Sequence, residues 1–121
     1  MKNDRAAAAS AEREETDWEQ IRILYGILAR IAPNPMVTVN RGVAVAMTKG
    51  PRAGLDLLAG LDVDRRVAGD HRLLAVRAHL LELSGDVAAA HAAYLDAARR
   101  TTSLPEQRHL RKRAARLGAA R

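Results

Sequence analysis

Asn40, Arg41, Arg72 and His79 are the residues whose types suit them for recognition chemistry. An amide, a guanidinium and an imidazole brought into one groove could hold a peptide carboxylate or an acidic segment through charge-assisted hydrogen bonds. The same residues have a competing structural use. Asn40 can bond neighbouring backbone and Arg41 can pair with a nearby carboxylate, since polar groups inside helical stacks commonly serve the fold. A second set, Arg108, Arg111 and Lys112, belongs to a basic run that continues through Arg113, Arg116 and Arg121. Such a run can touch nucleic-acid phosphates or an acidic partner, with salt-dependent affinity and no base reading. Its structural alternative is an ordinary solvated helix face. With three aromatics, Trp18, Tyr25 and Tyr94, all at core-like spacing, stacking on single-stranded bases is not expected.

Catalytic patterns are missing. The histidines at 71, 79, 91 and 109 show no metal-ligand spacing. Ser10, Ser84 and Ser103 lack a nucleophile-elbow context, no glycine-rich phosphate loop occurs, and there is no Cys to act as a thiol. The reading is a non-enzyme without cofactor or metal.

The candidate residues need helices to position them, and two glycines punctuate those helices. Gly50 and Gly85 lie 35 residues apart, each at a turn between amphipathic stretches, a span close to the ~34-residue tetratricopeptide hairpin. Residues 1–15 read as a flexible leader, and 16–121 as one helical domain. Thr16 or Asp17 caps a first helix, with Glu19 completing a capping box, and Trp18, Ile21, Tyr25 and Leu28 at helical spacing predict that it is mostly buried. Pro33-Asn34-Pro35 restarts the chain into a helix over 35–49, whose apolar side is Val39, Val43, Ala46 and Met47. Gly50-Pro51 turns it into a short helix ending at Ala59, and 60–69 reads as an irregular connection. Asp70 caps a fourth helix carrying Leu73, Leu74, Val76, Leu80, Leu81 and Leu83. Asp86 caps a fifth with Val87, Ala90, Tyr94 and Ala97. A capping helix begins near Ser103 to Pro105, with Leu110, Ala114 and Leu117 as its stripe. In this register Asn40, Arg72 and His79 fall on the face that lines the concave groove of such a stack.

Composition agrees with an all-α, tetratricopeptide-like stack of about six helices. Apolar residues make up 48% of the 121 positions, and Ala, Leu and Val supply most of them, which suits close-packed helices better than a sheet. The net charge of +6 is polarised, with Glu12, Glu14, Glu15, Asp17 and Glu19 near the start and the arginines near the end. No apolar run reaches the ~18 residues that would span a bilayer, and the charged start lacks a signal-peptide core. With the absence of Cys this fits the cytoplasm.

A more specific likeness runs through Thr16-Asp17-Trp18, Leu24-Tyr25, Ala32-Pro33-Asn34-Pro35, Asn40-Arg41-Gly42-Val43-Ala44-Val45-Ala46, Gly50-Pro51-Arg52-Ala53-Gly54-Leu55, Arg77-Ala78 and Leu80-Leu81. Over about residues 16–117 the chain resembles the C-terminal tetratricopeptide-like extension of bacterial extracytoplasmic-function RNA polymerase sigma factors. It departs from that pattern at Gly42, commonly Ala, at Asn34, commonly Ser, and at His79, where an acidic residue is more typical. The family's promoter-reading regions have no counterpart in this sequence. The resemblance therefore implies a regulatory or assembly module of transcription initiation, whose partners are sigma regions, RNA polymerase or a regulatory protein. A homodimer is compatible with its incomplete solenoid ends. The alternatives are a stand-alone adaptor binding an unrelated protein's tail, and a ligand sensor with a pocket beside the first helix.

Overall fold

The computed structural model describes the chain from residue 2 to residue 119, with side chains described at Glu14 and from residue 17 to residue 118. Six α-helices follow one another: α1 (Lys2–Ile31), α2 (Pro35–Lys49), α3 (Pro51–Ala59), α4 (His71–Leu83), α5 (Val87–Arg100) and α6 (Leu104–Ala119). A short 3-10 turn, Gly60–Val63, follows α3. The fold is all-α, as the composition requires. No helix among the described residues is long and apolar enough to cross a membrane.

Local chemistry sets most helix ends. Asn34 is extended, with φ −149°, because Pro35 follows, and its side chain accepts the Met36 N–H at 2.8 Å. Asp70 accepts from the Arg72 N–H at 2.8 Å, and Asp86 from that of Ala89 at 3.2 Å. Ser103 accepts from the Glu106 N–H at 3.3 Å, which places the start of α6 where the sequence does. Gly50 and Gly85 have φ of 99° and 88°, a region that residues with a Cβ rarely enter, so both turns demand glycine.

Two cores share one helix. Val39 and Ala46 of α2, Leu55 and Leu58 of α3, and Leu61 and Val67 of the connection gather around Leu73 and Leu80 of α4. The other side of α4, Leu74 and Ala78, packs with Ala90, Tyr94 and Ala97 of α5 and Leu110, Ala114 and Leu117 of α6. The breadth of the leucine pattern on α4 has this cause: it is a middle layer with neighbours on both sides.

Four expectations need correction. The first helix does not begin at Thr16; it runs from Lys2, because the Ala, Glu and Arg of the leader are themselves strong helix formers. The side chains at 1–13, 15 and 16, the expected Thr16 cap among them, lie outside the described residues, as does Arg121. Nor is α1 mostly buried. Its outward residues Ile23, Leu24, Ile27 and Ile31 are 40% to 75% exposed, since α1 packs chiefly on α2. The 60–69 connection is more ordered than its weak periodicity implies: Leu61 and Val67 are core residues, and Asp62 pairs with Arg77 of α4. Met47 and Leu83, expected on apolar faces, are about half exposed.

Glycine also decides how closely helices approach. A Cβ on Gly54 would lie 2.6 Å from the Gly42 carbonyl oxygen and 2.8 Å from the Ala46 Cβ, whereas one on Gly26 would meet nothing within 4 Å. Gly54→Ala is accordingly expected to lower stability by about 2 kcal/mol through overpacking against backbone. Gly26→Ala should raise it by up to about 1 kcal/mol through helix propensity alone. Thermal melts of the two variants beside the parent check both signs.

Candidate protein-interaction groove

Helices α2, α4 and α6 border a cleft of about 260 Å³. Its floor is apolar, made by Val43 of α2, Ala75 and Val76 of α4 and Leu110 of α6, with the Tyr94 ring of α5 beneath. Its rim is polar and mostly cationic or neutral: His79 from α4, and Glu106, His109 and Arg113 from α6. A second recess of about 320 Å³, lined by His109, Lys112, Arg113 and Arg116, extends it along α6. An apolar floor with a few convergent polar groups is the general form of a binding site.

One partly buried network lines this cleft. Tyr94, 2% exposed, donates its hydroxyl to Glu82 Oε1 at 2.8 Å, and Arg113 Nη2 donates to the same oxygen at 3.0 Å. The Arg113 guanidinium also lies over the Tyr94 ring, 5.2 Å from its centre, and Nη2 is 3.5 Å from His79 Nδ1. The Tyr94 bond, and then Arg113, hold the Glu82 carboxyl below its ordinary range. Burial first, and the Glu82 bond second, push the Tyr94 phenol up to about 12. The Glu82 bond likewise raises the Arg113 guanidinium, which stays charged. Its Nε is buried without a hydrogen-bond partner among the described residues.

A second network fixes the start of α6. His71 Nδ1 lies 2.9 Å from Glu106 Oε1, Thr101 Oγ1 donates to Glu106 Oε2 at 3.2 Å, and Gln107 Nε2 donates to the Ala98 carbonyl. Glu106 thus joins the N-terminal ends of α4 and α6, beyond any favourable interaction with the helix dipole. Further along, His91 Nδ1 meets the Ala114 carbonyl at 2.8 Å and fastens α5 to α6.

The four residues singled out on α2 and α4 do not meet in this groove. His79 lines it. Asn40 is exposed, one turn before Val43 on the same side of α2. Arg41 turns instead toward α1, where it lines a separate recess with Arg22, Ile23, Gly26, Ile27 and Arg30, because successive helical residues point about 100° apart. Arg72 folds back on its own helix cap. Its Nε and Nη2 reach Asp70 at 3.0 and 2.7 Å, and this bidentate pair holds the Asp70 carboxyl down at about 2. Arg108, Arg111 and Lys112 are exposed on α6, and of these Lys112 borders the recess that continues the groove. Sequence reasoning named neither Glu82, Glu106 nor His109 as a site residue, nor Arg113 apart from its basic run. The spacing of Glu82, Tyr94 and Arg113 along the chain carries no local signal; only the large-residue position of Tyr94 pointed there.

Among known proteins, the chain is similar to an uncharacterized protein of Rhizobium meliloti (strain 1021), with 38% identity over 107 residues. That match covers 88% of this chain and 25% of the relative, so the chain spans about a quarter of the relative's length. No protein-family model matches the chain, and no solved structure does.

The buried phenol sets a pH dependence. Its pKa in the fold lies above the ordinary 10.0, so the unfolded chain ionises first. Stability is then intact below pH 10 and falls as pH rises toward about 12. Tyr94→Phe is expected to cost about 1 kcal/mol at neutral pH through the lost hydrogen bond. It should also flatten the alkaline limb, which denaturant titrations at about pH 8 and about pH 11 would compare.

Proposed function

We propose that this chain is a non-enzymatic, tetratricopeptide-like interaction module of an extracytoplasmic-function RNA polymerase sigma factor, which supports or controls transcription initiation in the bacterial cytoplasm by holding a protein segment. The reading is supported by the run from Asn40 to Leu55, which resembles that family's C-terminal extension, and by the groove across α2, α4 and α6. The groove carries the mechanism. Its floor of Val43, Val76 and Leu110 would bury an apolar side chain of the partner, and His79, His109 and Arg113 would receive a carboxylate or backbone carbonyl beside it. Arg113 is already oriented by Glu82 and Tyr94, so little side-chain freedom is lost on binding.

The partner in this reading is the promoter-reading part of the sigma factor, the polymerase core or a regulator of either. Arg108, Arg111 and Lys112 add at most non-specific contact with DNA phosphates, which salt would weaken. The alternative of a stand-alone adaptor for an unrelated protein uses the same groove with a different occupant.

Immobilised chain offered the polymerase core and separately purified sigma regions is expected to retain at least one of them. His79→Ala with His109→Ala should weaken that retention about tenfold, while the exposed Arg111→Ala should not. Retention of neither component would remove the transcription reading in favour of the adaptor.

A further inference from the structure

Between α1 and α2 lies a recess of about 590 Å³ whose border is cationic. Arg22, Gly26 and Arg30 stand at i, i+4 and i+8 on α1, so they share one face of that helix on successive turns. Arg41 enters from α2 and completes the border. Gly26 makes the space. A Cβ at that position would meet nothing within 4 Å, so the two arginines of α1 flank a gap that any larger residue would begin to fill. Ile23 and Ile27 give the recess an apolar side. It shares no lining residue with the groove across α2, α4 and α6.

Charge is unbalanced here. Guanidinium groups stay protonated at any physiological pH, so every arginine on the border carries a full positive charge. A single carboxylate answers them among the described residues: Glu19 Oε1 accepts from Arg22 Nε at 3.0 Å, and also from its Nη2. Arg30 and Arg41 join no ion pair among the described residues. Arg41 is half-buried, and its Nε is buried with no hydrogen-bond partner among the described residues. A cation drawn into the wall of a recess without an anion is costly, and an anion that enters removes the cost.

Chemistry selects the anion. The unmatched charges of Arg30 and Arg41 suit a dianion better than a lone carboxylate. Guanidinium forks from two helices can each take separate oxygens of a tetrahedral phosphoryl group, whereas a carboxylate is satisfied by one fork. The stretch of α1 from Arg22 to Arg30 is about 12 Å long, the span of a small molecule rather than of an extended peptide.

We propose that this recess is a binding site for a small phosphate monoester. Arg41 and Arg30 hold its phosphoryl oxygens, Arg22 stands beside them, and its organic part lies against Ile23 and Ile27. A bound phosphoryl group would bridge α1 to α2. The site goes beyond the interaction module proposed above and is independent of what the groove holds.

Isothermal titration calorimetry of the 121-residue chain with phenyl phosphate near neutral pH tests it. The parent is expected to bind with a dissociation constant of about 1 mM or tighter, and benzoate at least about tenfold more weakly. Arg41→Ala should weaken phenyl phosphate binding about tenfold or more. Gly26→Asp should do the same by setting a carboxylate among the arginines, and because that side chain enters open space the fold is kept. Arg111→Ala, exposed on α6, should bind like the parent, which separates the recess from a general attraction of anions to a basic chain. A parent that shows no binding at about 10 mM phenyl phosphate overturns the proposal, and so do Arg41→Ala and Gly26→Asp chains that bind like the parent. A phosphoserine peptide held more than about tenfold tighter than phenyl phosphate overturns the small-molecule assignment in favour of a protein segment.

Discussion

Everything in this molecule depends on how closely the backbones of α2 and α3 can approach at Gly54. A Cβ there would collide with the Gly42 carbonyl and the Ala46 methyl, and would touch Leu80 of α4 at 3.0 Å. Three helices therefore meet at a position with no side chain. Because Gly42 is equally bare, Leu58 can lie against its backbone and be fully buried. The spacing of α2 from α4 follows from this contact, and with it the cleft that both helices border. Alanines repeat the device in the second core, where Ala78, Ala90, Ala97 and Ala114 are wholly buried and let α4, α5 and α6 pack at short range.

Such close packing leaves little room for aromatic residues, and the one aromatic in the second core carries disproportionate weight. Tyr94 fills the space among α4, α5 and α6 and has a hydroxyl that must be bonded once buried. Glu82 meets that need, and its charge is in turn balanced by Arg113. The core thus extends into the wall of the groove without a break: a ring inside, a carboxylate between, a guanidinium at the rim. Groups that would meet a partner are in this way held by groups that stabilise the fold. A helix–helix interface and the wall of the cleft are built from the same three side chains.

The two ends of the stack are chemically unlike. At α6 the outer face is rich in arginine, as expected of a terminal layer that needs water on one side. At α1 the outer face is aliphatic. Charge is unevenly placed along the chain, acidic near the start and basic near the end.

What the sequence determined by itself was local. Proline, glycine and the caps Asn34, Asp70 and Asp86 act within a few residues, so the helix count, the turns at Gly50 and Gly85 and the all-α class were legible without coordinates. The stripe of Leu110, Ala114 and Leu117 was equally plain, since α6 buries a single face. Only tertiary structure decided which polar groups share a surface. Arg41 and Arg72 left the expected groove because one faces α1 and the other closes on Asp70, choices made by neighbours rather than by spacing. Glu82, Tyr94 and Arg113 came together across separate helices, and no periodicity encodes that meeting. The exposure of α1 was hidden for the same reason: an apolar pattern records that a face favours burial, whereas the presence of something to bury it against is a property of the assembled molecule.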